Sequence, residues 1–259
     1  MQWRTFECRS CHFQWVHRDD LRQKDVQPSY DDYGYNKHIH ATFKSMRSQY
    51  LVGFKIRIAR TIGLKALERH AFADVGCANG EYLATARDLG FGQVLGVEID
   101  RTAAQNAARY GPVLDAVALL PSAAFDVIQV KNVLGNINDF RSFLHVIVRC
   151  LKPHGYLFLD VPHARGAATR FRTAVRIVGG RGGANAVLRP PYVINGFTRR
   201  SVALLLGQSG LATLRIATSY LGSEQVPYTY AKHQLRTAAA RFAALVGAGS
   251  MILSESRLV

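Results

Sequence analysis

Acidic side chains are scarce in this sequence, and over one long stretch they are missing. The chain holds 18 Asp and Glu against 33 Lys and Arg, a formal charge of +15 at pH 7. Between Asp160 and Glu224 there is no carboxylate, while Arg165, Arg170, Arg172, Arg176, Arg181, Arg189, Arg199, Arg200 and Arg215 fall inside that gap. The planar fork of arginine suits bidentate contact with phosphate or carboxylate, so a concentrated excess of it points to an anionic partner. The plainer alternative is a solvated basic face.

Cysteine is equally sparse. Four residues without a regular framework argue against a disulfide scaffold and for reduced thiols, which suits a cytoplasmic protein. Long apolar runs are absent: the longest, Phe242 to Leu253, falls short of the roughly eighteen residues of a membrane span. Arg4, Glu7 and Arg9 break any signal-peptide pattern at the start. The expectation is no membrane span, although the charge leaves a peripheral contact with anionic lipid open.

What is present is enough for a sizeable core, since 48% of the 259 residues are hydrophobic. Residues 1–35 read as an irregular appendage bearing a Cys-x-x-Cys pair. Residues 36–69 show helical spacing of Ile39, Phe43, Met46, Tyr50, Phe54, Ile58 and Ile62, broken near Gly63. From residue 70 to 259 strands and helices alternate, the mark of an α/β fold with a mostly parallel sheet.

Strands are expected at Phe72 to Gly76, Gln93 to Ile99, Val113 to Ala116, Phe125 to Val130, Tyr156 to Val161, Leu211 to Ala217 and Ser250 to Ser256. Helices are expected at Glu81 to Leu89, Arg101 to Tyr110 and Asp139 to Leu151, with Thr198 capping another through Leu206. Tyr230 to Val246 is a further helix candidate. The Arg-rich insertion at about 164–197 contains Gly-Gly and Pro-Pro pairs that interrupt long elements, and reads as a lid or acceptor segment.

The first strand-to-helix turn is "DVGCANGEYL", Asp74 to Leu83. Small residues at Gly76, Ala78 and Gly80 let a ligand approach backbone N–H groups at a helix N-terminus. Glu98 ends the next strand, where a carboxylate can accept hydrogen bonds from two ribose hydroxyls. That pairing indicates an adenosine-type ligand. The spacing is not the Gly-x-Gly-x-x-Gly of dinucleotide enzymes, which makes NAD the weaker reading.

These residues, with "GVEID", "FDVIQVKNVLGNINDF", "LKPHGYLFLDVP", "GFTRRSVALLLGQSGL" and "GSMILSESR", resemble the class I S-adenosylmethionine-dependent methyltransferases over about residues 70–217 and at the closing strand. Ala78 replaces the middle glycine of that family's first motif. The resemblance implies a Rossmann-like, seven-stranded sheet with its last strand antiparallel and S-adenosyl-L-methionine across the strand ends. Asp74, Gly76, Cys77, Ala78 and Gly80 would then line the methionine portion and Glu98 the ribose. Asp115 and Ala116 would meet the adenine, and Asn132 would help position the methionine moiety. Similar small-molecule methyltransferases often read His-Val-Leu-Glu-His where this chain has Asn132-Val133-Leu134-Gly135-Asn136, so no acid/base role falls on that loop.

Methyl transfer needs an aligned nucleophile and, for a hydroxyl, a proton acceptor. His163, directly after the fifth strand, is the candidate general base, since imidazole titrates near neutrality. Tyr192 and Asn195, with Arg170 and Arg172, are candidate contacts to a small-molecule or glycan-type acceptor bearing anionic groups.

Cys8 and Cys11 supply half of a tetrahedral zinc site, with only His12 and His17 as further nearby donors. Some similar methyltransferases carry a complete N-terminal zinc ribbon, which implies a degenerate remnant here. A metal-free hairpin is expected, zinc coordination being the other reading. Two alternative functions remain open at this point. One is RNA methylation, suggested by the charge but without interleaved aromatics. The other is a non-catalytic protein of the same fold that binds an anionic membrane or partner.

Overall fold

The structure is a computed structural model that describes residues 3–21, 52–179, 187–190, 192–219 and 251–259. In chain order these contain β1 (Thr5–Glu7), β2 (Gln14–Val16), a helix α1 over 52–61, β3 (Ala71–Val75), α2 (Glu81–Leu89), β4 (Gln93–Val97) and α3 (Arg101–Ala107). There follow β5 (Val113–Leu114), β6 (Phe125–Lys131), α4 (Phe140–Cys150), β7 (Leu151–Pro162), α5 (Ala167–Val178), β8 (Asn195–Gly196), α6 (Arg199–Gln208), β9 (Leu211–Ser219) and β10 (Met251–Leu258).

The main sheet has seven strands in the order β5-β4-β3-β6-β7-β10-β9. β3, β4, β5, β6 and β7 are parallel, and β10 runs antiparallel to both β7 and β9. The alternating rhythm predicts the parallel strands, and the resemblance implies the rest of this Rossmann-like, seven-stranded sheet with its last strand antiparallel. Its central strands β3, β6 and β7 are buried on both faces, so each of them supplies two cores. Ala71, Ala73 and Val75 join Ile128, Val130, Leu157 and Leu159 beneath α4 and α6. Phe72, Val127 and Phe158 face Phe54 and Ile58 of α1 and Leu83 and Ala86 of α2. The side chains on this second face turn polar toward the strand ends, where Asp74 pairs in register with Gln129 and Lys131 with Asp160.

Three expectations change. The Arg-rich insertion is not free of long elements: α5 spans twelve residues, because the Gly-Gly pair comes only after Val178 and the Pro-Pro pair later still. β7 begins at Leu151 rather than Tyr156, its pairing with β6 shifting register between Phe125 and Val127 to absorb the "KPHG" turn. β5 is reduced to two residues, and Asp115 and Ala116 lie beyond its end. The helix expected at 230–246, and most of the helical pattern before residue 52, lie outside the described residues.

The N-terminal segment is tied to the far end of the sheet. β1 and β2 form an antiparallel hairpin, and β2 pairs with β8, giving a second sheet ordered β1-β2-β8. Thr198, which caps α6 reciprocally with Ser201, donates its hydroxyl to the Cys11 carbonyl at 2.6 Å. Phe13 stacks among Trp15, Phe140 and Phe197, extending the core across this junction.

Two arginines fasten α1 to the sheet beside its apolar contacts. Arg57 is buried; its Nη1 donates to both Asp160 carboxylate oxygens at 3.0 and 2.8 Å, and its Nη2 donates to the Ser254 carbonyl at 2.8 Å. The same guanidinium lies 4.2 Å from the Phe158 ring centroid. One turn on, Arg60 reaches Glu255 at 2.6 Å.

Candidate functional site

The glycine loop leaves β3 at Val75 and enters α2 at Glu81. Its path needs left-handed backbone at three positions, Gly76 at φ 75°, Ala78 at φ 47° and Gly80 at φ 85°. Two are glycine for reasons of space as well. A Cβ on Gly76 would collide with Val133, and one on Gly80 would come within 2.9 Å of the Ala107 Cα. The backbone N–H groups of Gly76 and Cys77 donate to the Val97 carbonyl at 2.8 and 3.0 Å, which holds the loop against the end of β4. No side chain caps α2, so its N-terminal turn relies on Gly80.

Glu98 stands beside this turn and is 3% exposed. Its Oε2 accepts the Ala78 N–H at 2.9 Å and its Oε1 the Asp100 N–H at 2.9 Å. Burial raises its pKa, and those N–H groups pull it back. Each oxygen keeps a second lone pair for another donor.

Asp74 is the last residue but one of β3 and is also 3% exposed. Burial pushes its pKa up to about 7, with the charges of Glu81 and Glu98 adding to the rise and a hydrogen bond from Gln129 opposing it. The Gln129 Nε2 lies 3.5 Å from Asp74 Oδ1, while Gln129 Oε1 is buried without a hydrogen-bond partner. Next along the strand, the Lys131 Nζ donates to Tyr82 Oη at 3.0 Å. Asn106 of α3 donates to Asn79 Oδ1 at 3.0 Å, and the Asn79 Nδ2 is another buried atom without a partner. Both atoms keep bonding capacity for a ligand beside the glycine loop. Cys77 is inert by contrast, since burial pushes its thiol far up.

The rest of the strand-end row lies where the topology puts it. Asp115 is exposed just after β5, and the Ala116 carbonyl accepts Leu119 N–H at 3.1 Å. Asn132 is exposed, takes φ 59°, and donates its N–H to the Asp160 carbonyl at 2.9 Å. Asp160 therefore touches both the α1 anchor and the loop after β6. Gly135 packs 3.3 Å, measured from an added Cβ, from Val193 and accepts the Ile194 N–H at 2.8 Å. A long side chain at 135 would displace that segment.

The acceptor-side candidates gather at the end of β7. His163 is 6% exposed, and its carbonyl accepts the Thr169 hydroxyl at 3.0 Å and the Gly166 N–H at 3.1 Å, which starts α5. Asn195 is buried, and its Nδ2 donates to the Ile137 carbonyl at 2.8 Å, so its amide fastens the loop after β6. Tyr192 is half-buried, and Arg170 and Arg172 are exposed on α5. A groove of about 410 Å³ opens between α5 and the 187–193 segment, lined by Pro162, Phe171, Arg172, Val175, Arg189 and Val193.

In the hairpin, Cys8 N–H donates to the Phe13 carbonyl at 2.8 Å and the Cys8 carbonyl accepts His12 N–H at 2.9 Å. Backbone N–H groups of Cys11 and Ser10 lower the Cys8 pKa. The two nearby imidazoles are engaged elsewhere: His12 Nδ1 lies 2.7 Å from Glu7 Oε1 and His17 Nδ1 lies 3.1 Å from Arg4 Nη2. Among the described residues no group of three or more His, Cys, Asp or Glu is arranged to hold a metal ion.

Gln129, Lys131, Tyr82 and Asn79 are not singled out by the sequence reading. The strand register supplies the signal for the first two, by placing them beside Asp74 and Asp160.

A family model described as methyltransferase domain matches residues 57–216. No curated protein sequence matches the chain. Among solved structures, a SAM-dependent methyltransferase from Archaeoglobus fulgidus is similar at 12% identity and TM-score 0.52, covering 80% of this chain and 94% of that one. The magnesium protoporphyrin IX methyltransferase of Synechocystis, solved with bound SAH, is similar at 14% identity and TM-score 0.53, over 86% of each chain. The [4+2]-cyclase SpnF is similar at 18% identity and TM-score 0.51, over 78% of each chain.

Proposed function

We propose that this chain, which belongs to the class I S-adenosylmethionine-dependent methyltransferases, methylates a hydroxyl of a small-molecule or glycan-type acceptor that carries anionic groups. Its cofactor is S-adenosyl-L-methionine, which supplies a methyl group on a sulfonium already activated for displacement.

The strand-end residues fit that cofactor. Asp74, with the unpartnered Gln129 Oε1, offers two acceptors for an ammonium group. Glu98 has a lone pair left on each oxygen for ribose hydroxyls. Lys131, beside Tyr82 on the same face, offers a cation for a carboxylate. Gly76, Cys77, Ala78 and Gly80 keep side chains short along the approach. Asp115 and Ala116 frame the adenine end and Asn132 the methionine end.

On the acceptor side, the observation that carries the reading is the groove beside Pro162. Arg172 and Arg189 line it, and no acid occurs between Asp160 and Glu224. An acceptor with an apolar body and a phosphate or carboxylate suits those walls. Arg170 extends the basic surface and Tyr192 borders it. Asn195 acts through the loop it holds rather than by reaching the acceptor. His163, at the end of β7, would take the proton of the hydroxyl as its oxygen bonds the methyl carbon and the sulfur–carbon bond breaks.

The fold also serves a cyclase, so methyl transfer has to be measured directly. The test is S-adenosylhomocysteine release with anionic hydroxylated acceptors, nucleotide-linked sugars among them, and with RNA as the contrast. Turnover confined to RNA, steeply salt-dependent, would replace this reading by the nucleic-acid one.

A further inference from the structure

α5 is built the wrong way round for a helix that serves a core. The residue it buries among those described is Thr169, and Thr173 is half-buried behind it. Its large apolar side chains face solvent: Phe171 is 71% exposed, Val175 55%, Ile177 56% and Val178 89%. An ordinary surface helix turns such residues inward and its hydroxyls outward. Phe171, Val175 and Val178, at i, i+4 and i+7, form one outward stripe. Arg170, Ala174 and Ile177 form the neighbouring one.

The surroundings of that face are cationic. Arg165, Arg170 and Arg172 are exposed and α5 itself carries no carboxylate, while Glu7 of the hairpin faces Arg165 alone among these three. Four bulky apolar side chains flanked by arginine, on one exposed helix, match an interfacial helix whose apolar stripe enters the headgroup boundary while its cations meet anionic lipid. Nucleic acid would use the arginines but has no use for three exposed aliphatic side chains, and Phe171 alone gives one stacking surface.

We infer that α5 docks this enzyme on an anionic bilayer surface. The helix starts at Ala167, four residues past His163, so docking turns the groove beside Pro162 toward the lipid. Phe171 and Val175 belong both to this stripe and to the wall of that groove, whereas Ile177 and Val178 lie outside it, and the test needs neither cofactor nor substrate.

The experiment is co-sedimentation of the full-length protein with phosphatidylcholine vesicles, with and without phosphatidylglycerol. Wild type is expected to bind the anionic vesicles, to weaken as salt rises, and to ignore pure phosphatidylcholine. The Ile177→Ser, Val178→Ser double variant is expected to bind at least tenfold more weakly. Arg165→Gln with Arg170→Gln is expected to lose about fivefold per arginine, the equivalent of about 1 kcal/mol each. Thermal melts and cofactor calorimetry check that both variants are folded. Absence of wild-type binding, equal binding to neutral vesicles, or unchanged binding by the folded double serine variant would overturn the inference. RNA binding that is unaffected by those serines and displaces the vesicles would overturn it in favour of nucleic acid.

Discussion

The Glu98 carboxylate accepts the Ala78 N–H at 2.9 Å, so the side chain proposed to hold the ribose also holds the turn of the loop proposed to receive the rest of the cofactor. Replacing it touches both tasks. Glu98→Gln keeps the volume but turns an amide toward a backbone donor. A charged hydrogen bond of this kind is worth about 1.5–3 kcal/mol, so cofactor affinity should fall by roughly ten- to a hundredfold in calorimetry. An unchanged dissociation constant would remove Glu98 from the site.

Asp74 gives a pH dependence of defined sign. Its pKa rises from 3.8 to about 7 in the folded chain. The neutral acid is the form that folding favours, so its contribution to stability is complete below pH 3.8 and is lost as pH climbs toward about 7. Binding an ammonium needs the ionised form. Affinity for S-adenosylmethionine should therefore tighten about tenfold per pH unit below the pKa and level off above it. Asp74→Asn should flatten both trends; calorimetry and melts across that range, read as the difference from wild type, decide the matter.

Ala78 carries a φ of 47°, where an L side chain costs about 1–2 kcal/mol. Ala78→Gly removes that strain and gives back about 0.4–1 kcal/mol to the unfolded chain. The expected result is a gain of roughly 0.5–1 kcal/mol, seen as a rise of a few degrees in Tm. A lower Tm would mean that the loop adopts another conformation in solution.

Arg57 tests the anchor of α1. Truncating one partner of a buried ion pair leaves the other uncompensated, at a cost of about 3–5 kcal/mol. Arg57→Ala should show that loss in denaturant melts, with faster proteolysis before residue 71. Arg57→Met combined with Asp160→Leu should recover most of it, because an apolar pair of similar volume owes no desolvation. Equal losses in both proteins would show that the Arg57 bond to the Ser254 carbonyl, absent from both, matters more than the pair.

Much of this fold can be read locally. Ala71 to Val75 alternates between two cores, Asp100 caps α3 through Ala103, and Thr198 caps α6 through Ser201, each within a few residues. The glycine loop and Glu98 are legible for the same reason. Gln129 and Lys131 are not, because their meaning comes from strands paired across fifty or thirty residues of sequence. The hairpin's attachment to Asn195 and Gly196 is likewise long-range, and no local pattern announces it. α5 escaped because its inward side chains among the described residues are threonines, so its large apolar residues point away from the protein.

β10 lies between β7 and β9, although some thirty residues separate it from β9 in the chain. During synthesis the five parallel strands from β5 to β7 can assemble while β7 still offers an unpaired edge. Only when residues 251–258 leave the ribosome can that edge close, with β9 joining from beyond it. Until then an apolar strand stands open to any other chain that can pair with it. A ribosome stalled before residue 251 would hold a nascent protein with its five parallel strands formed and its sheet still adhesive.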